Sequence, residues 1–429
     1  MKISRPFVKV PTGDYMSSQW AVTESGRCLS CYEPPCTEAC PVHVDVAGFI
    51  RRVKSGDLRG AFHILGENLP FPNTCALVCP HLRLCEGACC IKELTGSIRI
   101  GALQHFVATR EKIEPEIGSV ESGKRVAIIG SGPTGLSAAN GLRGMGHCVT
   151  VFEKESKPGG LLTNGIPPHR LPKDVAIEEI ANIKKELDLQ MNERIDGIGD
   201  LINEFDAVLI ATGAHESLSL GIPGEELAEV VKGLDFIERL NDGEELIGKK
   251  VAIIGGGDVA IDAARCAIHM GAESVRVIYR RSFCEMPAYS LSVKDAKNEG
   301  VWFLTRAMPI KILGDDRVKS LECIKTELGE PDASGRGRPI PVPTSQFVID
   351  VDIVVLALGQ RVERSFIECN PKIKFAKGLI KVDDRLMTSQ RGVFAAGDAT
   401  NGGSTVVQSI ADGRRAAAEI GNFLEERAL

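Results

Sequence analysis

The segment Val126-Ala-Ile-Ile-Gly130-Ser-Gly132-Pro-Thr-Gly135 recurs later in the chain as Val251-Ala-Ile-Ile-Gly255-Gly-Gly257-Asp-Val-Ala260. Each copy is a short apolar strand, a glycine turn and the start of an apolar helix. In such a unit the first glycine permits the tight turn. The second lets backbone N–H groups approach a pyrophosphate, and the third lets the helix pack on the strand. The phosphates then lie at a helix N-terminus, where unpaired N–H groups and the dipole favour anions. Ala260 takes the third place in the later copy, which the pattern tolerates. This weak repeat predicts two Rossmann-like dinucleotide-binding domains in an α/β fold.

The residues after each turn differ in charge. The strand expected over 149–152 ends in Glu153, whose carboxylate can accept from a ribose 2′-OH, so this site suits an adenosine without a 2′-phosphate. The strand expected over 275–279 ends in Arg280 and Arg281, with no acid. Two guanidiniums there suit NADP(H), although a solvated basic pair reads the same way. Two unlike adenosine sites are explained by one fixed flavin, FAD, and one diffusing nicotinamide. Near the C-terminus a strand over 393–396 runs into Gly397-Asp398, and a helix is expected over 405–427. Asp398 reads either as a partner of the FAD ribityl or pyrophosphate region or as a helix cap. Ala211-Thr-Gly-Ala214 and Ala357-Leu-Gly-Gln360 each follow an apolar strand and are expected to be crossovers between the nucleotide domains. The candidate FAD contacts are Gly130, Gly132, Pro133, Thr134, Gly135, Glu153, Gly397, Asp398, Thr405 and Val406. Those for NADP(H) are Gly255, Gly257, Asp258, Val259, Ala260, Arg280, Arg281 and Gly359.

The N-terminal quarter has a different grammar. Short helical patterns over 46–54 and 57–65 lie between cysteine-bearing loops. Of 14 cysteines, nine fall between Cys28 and Cys90, as Cys28-x2-Cys31-x4-Cys36-x3-Cys40-Pro41 and Cys75-x3-Cys79-Pro80-x4-Cys85-x3-Cys89-Cys90. A proline after the last cysteine of a run is a ferredoxin feature, and eight thiolates at these spacings suit two [4Fe-4S] clusters. Zinc and free core thiols are the competing readings; zinc would favour paired Cys-x2-Cys motifs, and only the first spacing is of that kind. No run of about 18 apolar residues marks a membrane span. No signal-peptide core follows the first residues, so a cytoplasmic protein is expected, in which cysteines bind metal more often than they form disulfides. The net charge of -6 argues against a nucleic-acid surface.

Taken in order, the cysteine groups, Gly130–Gly135, Gly159-Gly160-Leu161, Ile166-Pro-Pro-His-Arg170-Leu-Pro172, Gly255–Ala260 and Ala395-Ala-Gly-Asp398 resemble the small (β) subunit of NADPH glutamate synthase. They also resemble the N-terminal portion of dihydropyrimidine dehydrogenase and its bacterial flavin subunit. The likeness runs from about Cys28 to the C-terminal helix. It implies that Cys28, Cys31, Cys36 and Cys89 hold one cluster. Cys40, Cys79 and Cys85 hold the other, with Gln104 as fourth ligand, which leaves Cys75 and Cys90 as bystanders. Spacing alone would make Cys75 a ligand. The likeness also implies that Gly160, Leu161 and Arg170 lie by the flavin, and that Arg280 and Arg281 meet the adenosine phosphate. Gln104 leans toward dihydropyrimidine dehydrogenase, whereas Tyr279-Arg280-Arg281 and Glu285-Met-Pro-Ala lean toward glutamate synthase.

The expected architecture is a helical double-cluster domain over 1–122, an FAD domain over 123–245 plus 372–429, and an NAD(P)H domain inserted at 246–371. The expected activity is NAD(P)H-dependent flavin oxidoreduction: nicotinamide to FAD by hydride, then single electrons through the clusters to a catalytic or electron-accepting subunit in a hetero-oligomer. A soluble ferredoxin, or a flavin-bifurcating transhydrogenase assembly, is the alternative destination. No side-chain acid or base is required for the hydride step, so no catalytic residue is named. A disulfide reductase would need a Cys-x2-Cys or Cys-x4-Cys beside the flavin, and the α/β part has only Cys148, Cys266, Cys284, Cys323 and Cys369, all isolated. A non-catalytic docking subunit would bind no flavin.

Overall fold

The structure, a computed structural model, describes residues 17–112, 122–185, 187–332 and 335–426. Residues 1–16 and 113–121 of the expected first domain, and position 427 of the expected last helix, lie outside that set.

From Ser18 to Ala108 the described chain is helical. Asp45 caps the helix Val46–Lys54 by accepting from Gly48 N at 2.8 Å. Asp57 caps Leu58–Asn68 in the same way, through Gly60 N at 2.9 Å. The latter helix ends at Asn68 rather than at 65, because tertiary bonds hold its last turn. Asn68 donates to His43 O, and its Oδ1 accepts from Arg414. Pro72 opens the helix Pro72–Val78, where its missing N–H costs nothing.

A five-stranded parallel sheet follows, in the order Val393–Ala395, Ala207–Ile210, Arg125–Ile129, Cys148–Glu153, Asp188–Met191. One edge strand is thus supplied by the far end of the chain. The helix Val406–Glu426 lies on the helix Pro133–Gly144 so closely that a Cβ on Gly413 would stand 2.2 Å from Thr134 O. The second parallel sheet has the order Val230–Lys232, Ile353–Leu356, Lys250–Ile254, Ser274–Tyr279, Trp302–Thr305. Around the glycine-turn strand the two sheets have the same arrangement, so the sequence repeat is a structural one. An antiparallel sheet, Ala307–Gly314, Val318–Pro331 and Gly337–Asp350, extends the second domain.

The chain divides into two compact units. One contains the helical domain and the first sheet; the other comprises 164–167 and 216–361. The insertion therefore begins and ends earlier than the expected 246–371. Val230–Lys232 pairs with Ile353–Leu356, which draws the preceding segment into the second sheet. Val362 and Phe366 join the core of Ala127 and Ile129, which returns 362–371 to the first. Among the described residues no helix is long and apolar enough to cross a membrane.

Candidate functional site

At the first glycine turn each glycine has its own physical reason. Gly130 has φ +104°, and a Cβ there would stand 2.5 Å from Ala211 O. A Cβ on Gly135 would stand 2.0 Å from Gly130 O, so only glycine lets helix and strand meet. A Cβ on Gly132 would meet nothing within 4 Å among the described residues, and the helix that starts at Pro133 has no side-chain cap. Open space thus lies before uncapped N–H groups. Thr212, beside Gly130, has a buried Oγ1 without a hydrogen-bond partner among the described residues. These features fit a bound dinucleotide pyrophosphate.

Glu153, Gly160 and Gly397 of the other FAD candidates lie against this turn. Glu153, 6% exposed, accepts from Ser131 N at 2.9 Å and from Ser131 Oγ at 2.5 Å. Gly159 N donates to Ser131 O, and a Cβ on Gly160 would stand 3.1 Å from Gly132 Cα, which brings Leu161 along. A Cβ on Gly397 would stand 2.3 Å from Thr134 Oγ1, so Gly397-Asp398 abuts the first turn of the same helix. The helix expected to cap at Asp398 instead has Gly397 in that place. The Asp398 carboxyl, raised by burial, accepts from Ser404 N and, at 3.4 Å, from Ser409 Oγ. Thr405 caps the long helix that begins at Val406, its Oγ1 accepting from Gln408 N. Arg170 lies three residues before the start of the helix Lys173–Lys184, half-buried.

The second turn repeats the geometry. Gly255 has φ +145°, with its would-be Cβ 2.2 Å from Ala357 O, and a Cβ on Gly257 would meet nothing within 4 Å among the described residues, at the start of a helix, Asp258–His269, with no side-chain cap. Ala260 is fully buried. Val259 packs toward Gly233, and Asp258 Oδ1 accepts from Tyr289 N at 2.8 Å. Gly359 O accepts from Leu218 N, in the crossover. The two arginines part company. Arg280 is exposed, whereas Arg281 is 3% exposed and donates to Gly337 O at 2.9 Å and to Asp332 at 2.5 Å. Sequence reading missed Arg306. It follows Trp302–Thr305, and the pairing of Tyr279 with Thr305 sets it next to Arg280 at one sheet end, also exposed.

The thiols sort into two neighbourhoods that cross the sequence groups. Burial, and then Cys28 and more weakly Cys89, push Cys36 up to about 11. Cys31 Sγ lies 3.6 Å from Cys90 Sγ, next in chain to Cys89. In the second neighbourhood burial raises Cys40 and Cys85, and Cys79 raises both further. Cys75 is raised by Cys79 and by burial. Several thiols that resist ionisation side by side fit a core whose iron supplies the missing positive charge. Gln104, 8% exposed, donates through Nε2 to Pro72 O at 2.6 Å, which leaves Oε1 as the atom able to ligate. Among the described residues no three His, Cys, Asp or Glu side chains converge as a single metal ion requires.

Residues 124–413 match the pyridine nucleotide-disulphide oxidoreductase family. The chain belongs to that family. Residues 7–115 match dihydropyrimidine dehydrogenase domain II, 4Fe-4S cluster. The NADP(+)-dependent formate dehydrogenase subunit beta of Moorella thermoacetica is 38% identical over 91% of this chain and 60% of its own length. The NADPH-Fe(3+) oxidoreductase subunit beta of Geobacter sulfurreducens is 36% identical over 93% and 65%. This chain thus spans less than two thirds of either relative. The glutamate synthase [NADPH] small chain of Halomonas elongata is 34% identical over 95% of this chain and 91% of its own length. Mycobacterium tuberculosis FprA in complex with NADPH shares the fold, with TM-score 0.61 and 20% identity over 71% of this chain and 85% of that one. This pyridine nucleotide-disulphide oxidoreductase uses FAD and NADP(H), and its N-terminal domain is of the 4Fe-4S kind. Despite the family's name, its α/β part has no Cys-x2-Cys or Cys-x4-Cys pair.

Proposed function

We propose that this chain is an electron-input subunit of the cytoplasm, taking electrons from NADPH and delivering them to a catalytic or electron-accepting protein subunit. The observation that carries the reading is the joining of the flavin-type turn and the thiol-rich helices in one compact unit. Arg414, on the long helix by the flavin turn, donates to Glu67 O at 2.9 Å and Asn68 Oδ1 at 2.6 Å in the helical domain. When bound, FAD accepts a hydride and releases electrons singly to iron–sulfur clusters. The chain's own residues bind and orient. Gly130, Gly132 and Gly135 make the pyrophosphate cradle for FAD, and Gly255, Gly257 and Asp258 the one for NADP(H). Cys28, Cys31, Cys36 and Cys89 hold one cluster, and Cys40, Cys79, Cys85 and Gln104 the other. That the relatives are named as subunits supports a protein partner.

The test is anaerobic titration followed by co-purification from native cells. NADPH should bleach the flavin and then the clusters, and the isolated chain should not convert glutamine and 2-oxoglutarate to glutamate. A chain that binds no flavin, or that turns over a substrate of its own, would end this reading. A ferredoxin as the co-purifying species would redirect it.

We also infer that the 2′-phosphate of NADP(H) is met by Arg280 with Arg306, and that Arg281 is a scaffold residue. Arg280→Ala should raise the KM for NADPH about tenfold and leave that for NADH unchanged, a loss of about 1.4 kcal/mol. Arg281→Ala should instead destabilise the inserted domain by about 2 kcal/mol, because it removes the donor to Gly337 O and empties a buried site. Steady-state kinetics with both nucleotides and thermal melts separate the two.

A further inference from the structure

One carboxylate links the flavin-type domain to the second thiol neighbourhood. Glu179 lies on the helix Lys173–Lys184, far in sequence from the cysteines. Its Oε1 accepts from Asn73 N at 2.6 Å and its Oε2 from Thr74 N at 2.9 Å. These are first-turn donors of the helix Pro72–Val78, which has no side-chain cap of its own. Glu179 therefore supplies from another domain what an N-cap residue normally supplies locally. The same turn leads to two expected ligands. Cys79 closes the helix, its N–H donating to Cys75 O at 3.1 Å, and Gln104 Nε2 donates to Pro72 O. On the other side, Ile180 packs against Gly159, whose N–H donates to Ser131 O in the flavin turn.

We propose that Glu179 is a positioning residue for the second cluster: it holds Cys79 and Gln104 in register with the flavin-type domain, and its charge tunes that cluster's potential. The inference rests on the reading that Cys40, Cys79, Cys85 and Gln104 hold a cluster. Burial pushes the Glu179 carboxyl up to about 7, against the donors of Thr74 and Asn73. Around it stand Glu178, paired with Lys112 at 2.6 Å, and Cys75 from the packed helix, while His105 faces Asn73 and Arg110 faces His105. Burial and then Arg110 lower His105, which bonds Asn73 Oδ1 at 2.6 Å, so its imidazole is biased toward the neutral form. Ionised Glu179 opposes the negative charge that reduction adds, so that cluster's midpoint should fall as pH rises through about 7.

The experiment uses the loaded full chain under anaerobic conditions, with iron and sulfide assays and redox titrations followed by electron paramagnetic resonance. Wild type carrying fewer than two clusters would defeat the underlying reading rather than the inference. With two clusters present, Glu179→Gln should keep its iron, shift one midpoint positive and flatten that midpoint against pH, while the other cluster and the Glu178→Gln control stay as in wild type. Glu179→Ala should lose about half its iron. If Glu179→Gln does not fold, Glu179→Asp, which keeps the charge, must retain a pH-dependent midpoint. Unchanged midpoints in Glu179→Gln, a shift of both clusters alike, or a pH-independent midpoint in Glu179→Asp would overturn the proposal.

Discussion

Replacing Gly132 by valine is expected to give a folded protein that keeps its iron and loses its flavin. At φ -71° and ψ -178° the backbone is extended, a conformation that suits a β-branched residue. A Cβ there meets nothing within 4 Å among the described residues, so the unliganded fold bears no steric penalty. The isopropyl group would instead occupy the space through which a pyrophosphate reaches the helix N–H groups. Flavin affinity should fall at least about tenfold, equivalent to about 1.4 kcal/mol, while the melting temperature of the flavin-free protein stays put. Gly135→Val is the contrast. Its Cβ would stand 2.0 Å from Gly130 O, and overpacking of that kind costs about 1–3 kcal/mol or more. That variant should lose flavin and stability together. Wild-type flavin content in Gly132→Val would mean that the cofactor's phosphates lie elsewhere.

The second large effect concerns iron. Cys36→Ser and Cys79→Ser should each remove about four of about eight irons per chain, as expected for two [4Fe-4S] clusters. The choice between local and interleaved ligand sets comes from pairs. Cys36 neighbours Cys28 and Cys89, from different sequence groups, so Cys36→Ser/Cys89→Ser should lose no more iron than Cys36→Ser alone. Two local four-cysteine sites would instead lose everything in that double variant. Cys75→Ala and Cys90→Ser should keep full iron. Cys75 is 2% exposed, and its thiol is held protonated by Cys79 and burial. Iron assays with absorbance spectra give the counts, and loss of four irons in Cys75→Ala would reinstate the local grouping.

The legible parts were those in which near neighbours in sequence carry the whole physical argument. A strand, a turn with φ above zero and a helix that cannot tolerate a third Cβ are all decided within about ten residues. Both glycine turns therefore stand where they were expected, with Gly130 and Gly255 in the left-handed half of φ. The helical patterns over 46–54 and 57–65 were readable for a like reason, since the structure fixes each start by a cap, Asp45 or Asp57, that reaches only three residues ahead. What was not readable depends on partners far along the chain. Arg280 and Arg281 look alike in sequence. Only the hairpin carrying Asp332 and Gly337, 51 and 56 residues later, makes one of them a buried strut. No local signal marks Glu179 either, because its donors lie 105 and 106 residues upstream. The edge of the inserted domain moved to Glu216 because a three-residue strand, too short to announce itself, pairs with Ile353–Leu356.

By itself, then, the sequence determined that two strand–turn–helix units of the dinucleotide kind follow a helical, thiol-rich segment, since backbone sterics at a few glycines allow little else. The tertiary structure decided which thiols become neighbours, which arginine stays in water and which carboxylate secures the helix Pro72–Val78. The physical reason is reach. Turn geometry and caps act over one to four residues, whereas burial, charge pairing and cluster ligation act between groups that only folding brings within a few ångströms.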